Sequence, residues 1–192
     1  MKTPTSTRSI AAGALALAAS IGLTACAMTP APAEDSGANR ADVMFVQMMI
    51  PHHEQAIEMS DMLLAKSGIE AETLAMADEI KAAQGPEIEQ MESWLDDWGL
   101  PSMGGMDGMD GMDHGGSGGM MSEGDMDDLE AATGQEAGDL FLTQMIEHHE
   151  GAIEMAENVI DDGRHPDVRA LGESIVASQA EEIERMRAMI DS

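Results

Sequence analysis

Two His-His pairs, each set among methionines, are the residues whose types and spacing could do chemistry in this chain. Met48-Met49-Ile50-Pro51-His52-His53-Glu54 is followed by Met59, and Gln144-Met145-Ile146-Glu147-His148-His149-Glu150 by Met155. Imidazole nitrogen and thioether sulfur are soft to intermediate donors that suit Cu(I) and serve hard Ca or Mg poorly. The candidate metal ligands are therefore Met49, His52, His53 and Met59 in the first stretch and Met145, His148, His149 and Met155 in the second. The implied ion is copper, Cu(I) first, with Ag(I), Cu(II) and Zn as alternatives.

A third donor-rich stretch lies between them. Met103, Met106, Met109 and Met112 recur every three residues among glycines, together with Asp107, Asp110, Asp113 and His114. Glycine makes such a segment flexible, and a plain linker has no need of repeated methionine. These four methionines and His114 form a candidate auxiliary site in which several thioethers wrap one soft ion.

The elements that must position the paired imidazoles are helices. With His52 at zero and about 100° per residue, Phe45, Met49, Ala56, Met59 and Leu63 fall within roughly -20° to 60°. His53 lies near 100°, on the other flank of Met49, while Glu54, Glu58 and Asp61 fall on the polar side. The paired rings thus turn towards the apolar face. Burial there costs free energy unless an imidazole is hydrogen-bonded or ligates a metal. Glu54 and Glu150 read as solvated surface or as partners that orient an imidazole.

The arrangement is duplicated. The run Phe45 to Met59 returns 96 positions later as Phe141 to Met155. After a slip of one, Ile80, Gln84, Glu87, Ile88, Glu89 and Met91 return as Ile175, Gln179, Glu182, Ile183, Glu184 and Met186. Each copy is two apolar-periodic segments joined by a turn. Asn39 with Asp42 caps a helix running to about Lys66, with Gly68 after it. A second runs from about Glu70 to Trp98, kinked at Gly85-Pro86 and stopped by Gly99-Leu100-Pro101. Ser122 to Asp125 caps a short helix over 123–133. A third long helix runs from about Glu136 to Asp162, and Pro166 opens the fourth. Four amphipathic helices in two repeated hairpins predict an all-α, antiparallel four-helix bundle with a long Met/Gly/Asp-rich connection. Hairpins pairing only between molecules are the alternative. The domain spans 40–192: repeat one at 41–98, the Met-rich linker at 99–121, the short helix, then repeat two at 136–191.

The N-terminus reads as an address. Lys2 and Arg8 precede an uncharged, Ala/Leu-rich run from Ile10 to Leu23, too short for a comfortable membrane span. Residues 1–25 are the expected signal peptide. Leu23-Thr24-Ala25-Cys26 resembles the bacterial lipobox, which makes Cys26, the one cysteine in the chain, the expected lipidation site. Residues 26–39 form its flexible tether. The expected location is the bacterial cell membrane, anchored by lipid and facing the periplasm or the exterior. A net charge of -28 repels nucleic acid and attracts cations. The expected partners are a metal ion and, through the anchor, the membrane; self-association is open and nucleic acid is excluded.

The sequence Met48 to Met59, its echo Met145 to Met155, and His165-Pro166 followed by Gln179-Ala180-Glu181-Glu182-Ile183 resemble the bacterial family known as domain of unknown function 305. The resemblance covers about Ala41 to Ile190. It implies a ferritin-like four-helix fold, and some members bind copper outside the cytoplasm and protect against it. It also implies that the paired His and their flanking Met match the family motif in both copies. Copy two departs from it with Glu147 in place of Pro51 and Gln144 in place of Met48.

The expected function is an exported lipoprotein that binds copper for buffering, storage or resistance. A ferritin-like metal-dependent oxidase is the enzymatic alternative. It needs Glu-x-x-His pairs, and neither His52 nor His148 has a Glu three positions earlier. The zinc-protease pattern fails as well, because Ile57 follows His53 four positions on. The chain is therefore expected not to be an enzyme. An envelope interaction module, with Met and His as core, is the third reading.

Overall fold

The computed structural model describes residues 36–101 and 118–191. Five helices occur in them and no strand: α1 (Arg40–Leu64), α2 (Ala71–Trp98), α3 (Glu123–Ala131), α4 (Gly134–Asp162) and α5 (Pro166–Ile190). The protein is all-α, as the periodicity predicts. The signal peptide, Cys26, most of the tether, and Met103, Met106, Met109, Met112 and His114 lie outside the described residues. Among the described residues no helix is long and apolar enough to cross a membrane.

Local chemistry sets the helix ends. Asn39 and Asp42 form a reciprocal capping box at the start of α1, and Ser122 and Asp125 form one at the start of α3. Gly99 ends α2 in the left-handed conformation at φ 68°, and the Leu100 N–H donates to Leu95 O at 2.9 Å. Pro166 opens α5, where its missing N–H is no loss. Three boundaries differ from the sequence reading. First, α1 stops at Leu64, and Lys66 instead sends Nζ to the carbonyls of Glu130 and Ala132 at the end of α3. Cationic donors favour that end of a helix. Second, α3 ends at Ala131, because Ala132 is extended at ψ 150°. Third, α4 then begins at Gly134, two residues earlier than periodicity placed it. α2 runs on through Pro86 as one continuous helix.

Helices α1 and α2 pack as one hairpin and α4 and α5 as the other, and the hairpins meet along α1 and α4. The short α3 lies against α1 and α4. Two apolar clusters fill the interior. One includes Phe45, Met49, Ile50, Met91 and Leu95 with Ala152, Ala156 and Ile175. The other includes Ala56, Met59, Leu63 and Ile80 with Phe141, Met145 and Ile183. Repeat-related residues thus exchange places: Met49 shares a cluster with Ala152, and its counterpart Met145 shares the other with Ala56. That exchange, across the α1–α4 seam, is the pattern of two hairpins related by a near-twofold axis.

A buried carboxylate fastens one end of that seam. Asp42 is fully buried and accepts from the backbone N–H groups of Asn39 at 2.7 Å, Arg164 at 3.0 Å and His165 at 3.1 Å. It binds the start of α1 to the turn between α4 and α5. Replacing it strands several buried donors, so Asp42→Ala is expected to lower unfolding free energy by about 3 kcal/mol. Urea denaturation of the two proteins side by side checks this.

Candidate metal centre

The four predicted histidines lie in one layer between the two apolar clusters, each 1% exposed or less. His52 on α1 and His148 on α4 are repeat-related, and they meet across the near-twofold axis with ring centroids 3.7 Å apart and planes tilted by 39°. His149 lies next to His148, at 6.4 Å between ring centroids. The two copies therefore contribute to one layer rather than to two remote sites.

The outer pair is held by carboxylates from the second helix of each hairpin. His53 Nε2 is 2.7 Å from Glu87 on α2, and His149 Nε2 is 2.7 Å from Glu182 on α5. Each Glu accepts from Nε2, which places the lone pair of a neutral ring on Nδ1. His52 Nε2 donates to Gly118 O at 2.9 Å. The Nδ1 atoms of His52, His53 and His149 are buried and make no hydrogen bond. His148 makes no hydrogen bond of ordinary geometry at either nitrogen. Such orphaned lone pairs in an apolar interior fit a ligand role, since a buried imidazole without a partner is costly. Among the described residues, no three His, Cys, Asp or Glu side chains are already arranged around one point. The layer offers imidazole pairs, with thioethers above and below, and not a carboxylate cage.

The predicted sulfurs divide. Met49 lies fully buried in the first apolar cluster, and Met59 and Met145 lie fully buried in the second. Met155 is only half-buried, at the surface between α1 and α4. Neither Glu54 nor Glu150 orients an imidazole in this structure: both are exposed, and Glu150 pairs with Arg187 at 2.7 Å. The orienting carboxylates are Glu87 and Glu182. Their signal was in the sequence, because both belong to the repeated segment one helical turn after Gln84 and Gln179. Those two glutamines are themselves buried with unpartnered amide atoms.

Burial keeps the central rings neutral. Desolvation, then the neighbouring His53, lowers the His52 pKa from the ordinary 6.5 to about 3. His148 is pushed well below 6.5 by burial first and then by His52, with the nearby His52 backbone offsetting part of the shift. Neutral imidazole is the form that binds metal.

A short strap closes one side of the layer. Gly118 and Gly119 both have φ near 80° (76° and 79°), and Gly118 O reaches His52. The Gln55 side chain clamps the Met121 backbone from both directions, at 2.9 and 2.7 Å. Its repeat counterpart is Gly151, where a Cβ would sit 2.0 Å from Gly118 O. One copy thus grips the strap and the other makes room for it.

The sequence and solved structures of other proteins fit this geometry. An all-helical protein with a duplicated His layer describes the class, and residues 42–190 match the family model "Domain of unknown function (DUF305)". The chain belongs to that family. A DUF305 fragment from Deinococcus radiodurans is similar in structure at a TM-score of 0.71 and 30% identity, covering 84% of this chain and 99% of that chain. A DUF305 protein from Streptomyces coelicolor is similar at a TM-score of 0.69 and 30% identity, covering 78% and 89%. CopM in its Cu(II)-bound form is similar at a TM-score of 0.67 and 32% identity, covering 78% and 95%, and CopM has also been solved with Cu(I) and with Ag. A sequence search of the curated proteins returns no match.

Two outcomes are expected. Between pH 6.5 and about 3, the unfolded chain takes up protons at His52 and His148 that the folded chain refuses. That part of the stability is present above pH 6.5 and is lost as pH falls through this window. The midpoint of urea unfolding should therefore drop on acidification, and drop less steeply in His52→Gln/His148→Gln. For Gly151→Ala, the strap must leave its seat. Amide exchange at Met121, whose N–H donates to Gln55, should speed by about tenfold or more, the equivalent of roughly 1.4 kcal/mol.

Proposed function

We propose that this protein is an exported, lipid-anchored copper-binding protein that takes up Cu(I) in its histidine layer and serves buffering, storage or resistance at the cell envelope. The observation that carries this reading is the buried set of imidazole lone pairs. Four buried rings from both repeats lie at the α1–α4 seam, and none has a partner for Nδ1. His52, His148, His53 and His149 are the proposed nitrogen ligands. Met49, Met59, Met145 and Met155 are the proposed sulfur donors, from the apolar clusters on either side of the layer. Glu87 and Glu182 fix the tautomer of the outer rings. Soft monovalent ions accept such neutral, low-number donor sets, which also spares the interior a surplus of buried charge. CopM, similar over most of this chain and solved with copper and silver, supports the choice of metal. Ag(I), Cu(II) and Zn remain the competing ions.

The fold belongs to the same reading: an antiparallel four-helix bundle of the ferritin-like kind, in which α3 is an added brace. Export and anchoring rest on the leader-like residues 1–25 and on Cys26, and the Met-rich segment with His114 is the proposed auxiliary site. The protein acts as a binder and not as an enzyme. The carboxylates that reach the layer, the half-buried Glu87 and Glu182, are hydrogen-bonded to imidazole rather than open to an ion.

The test is a Cu(I) titration of the mature protein against a chromogenic competitor, repeated on the variant with all four paired His replaced by Asn. The parent should outcompete a micromolar competitor, and the variant should weaken at least about a hundredfold, two decades in Kd. Equal affinity in the two proteins sinks the reading. A melting temperature raised by Cu(I) in the parent and unchanged in the variant is the second expected result, because a ligand bound only by the folded state stabilises it.

A further inference from the structure

Among the described residues most methionines pack into the two apolar clusters, but two on α1 do not. Met44 is 41% exposed and Met48 is 44% exposed; apart from Ile190 near the chain end, they are the large apolar side chains most open to solvent among the described residues. They stand one helical turn apart, so they share a face. Both line a single cavity of about 360 Å³ between α1 and α4, whose other walls include Met155, Phe45, Val159 and Asp162. Three thioethers from two helices therefore open into one surface cavity.

The near-twofold relation shows that this is not a general property of the fold. The repeat counterparts of Met44 and Met48 are Leu140 and Gln144. Gln144 is buried and donates from Nε2 to Asp125 O of α3 at 2.9 Å. Met59, the counterpart of Met155, is fully buried. The face of copy two is thus covered by α3 and has an amide where sulfur would be. The face of copy one is uncovered and carries the sulfurs. The cavity also adjoins the histidine layer. Met155 Sδ lies 3.8 Å from where a Cβ on Gly118 would be, and Gly118 O is the acceptor of His52 Nε2.

We propose that Met44, Met48 and Met155 form a second metal site, a surface site for a soft monovalent cation such as Cu(I) or Ag(I). Neutral thioethers select such ions over Ca, Mg and Zn. Among the cavity's lining residues the lone carboxylate is that of Asp162, far short of the oxygen shell that hard cations need. The strongly negative surface draws cations to it. The site uses no imidazole and shares only Met155 with the sulfur donors proposed for the histidine layer, and it lies one strap residue away from His52.

The experiment is Ag(I) titration of the mature protein labelled with 13C at the methionine methyls, followed by NMR. The methyls of Met44, Met48 and Met155 should shift together along one isotherm. In Met44→Leu/Met48→Leu, where Leu keeps the size and apolarity of the face, the Met155 response should weaken by at least about tenfold, a decade in Kd, while the His52 and His148 ring signals still respond. In His52→Asn/His148→Asn, the three methyls of the parent should still shift. That result keeps this site standing even if the histidine layer binds nothing. Unmoved methyls at these three positions, an unchanged Met155 response in the leucine variant, or loss of the methyl shifts in the asparagine variant each overturn the proposal. The first of these would leave the face as an apolar docking surface only.

Discussion

Everything in this domain accommodates the close approach of two neutral imidazoles. His52 and His148 meet at 3.7 Å across the seam of the hairpins, and at that separation both cannot carry charge in an apolar interior. The surrounding structure keeps them neutral. Apolar clusters lie on both sides, the outer imidazoles are tied to Glu87 and Glu182, and the one strap contact to His52 is a carbonyl. A charged ring would need water or an anion beside it, and among the described residues neither His52 nor His148 has a carboxylate hydrogen-bond partner. The central pair is consequently made of donors that stay uncharged.

The hydrogen bonding is economical in the same way. Each outer imidazole spends Nε2 on a carboxylate from its own hairpin, which leaves Nδ1 as its lone-pair atom. The contact is identical in both copies, so it comes from the repeated hairpin and not from the meeting of the two. The contact between His52 and His148 comes only from that meeting. Orientation is therefore a property of each hairpin, and proximity is a property of the pair.

Much of this was legible in the residues themselves. The Phe45 to Met59 periodicity placed His52 and Met49 inward, and the caps at Asn39, Ser122 and Pro166 placed the helix starts. The repeat announced that whatever His52 does, His148 does also. What the residues did not announce was contact between helices. Periodicity on one helix assigns a face but not the neighbour that meets it, so Met155 read as a companion of His149 although it opens onto the cavity beside Met48. Glu54 and Glu150 drew attention by standing next to the paired His. Adjacent helical residues diverge by about 100°, and the carboxylates that reach the rings come from other helices. The strap was hidden for a different reason: nothing in glycine or glutamine at equivalent positions signals a clamp until the segment between them is seen in place.

The exchange of partners across the near-twofold axis bears on how the chain can misassemble. A single hairpin carries His52, Met49 and Ala56 on one open face, and the surface complementary to that face is a second hairpin of the same design. In the present chain the same complementarity permits exchange of hairpins between two molecules. The Gln55 clamp and the space at Gly151 belong to opposite hairpins and grip one strap. They hold one strap from both sides, so the difference between the two copies ties the hairpins to the segment that joins them.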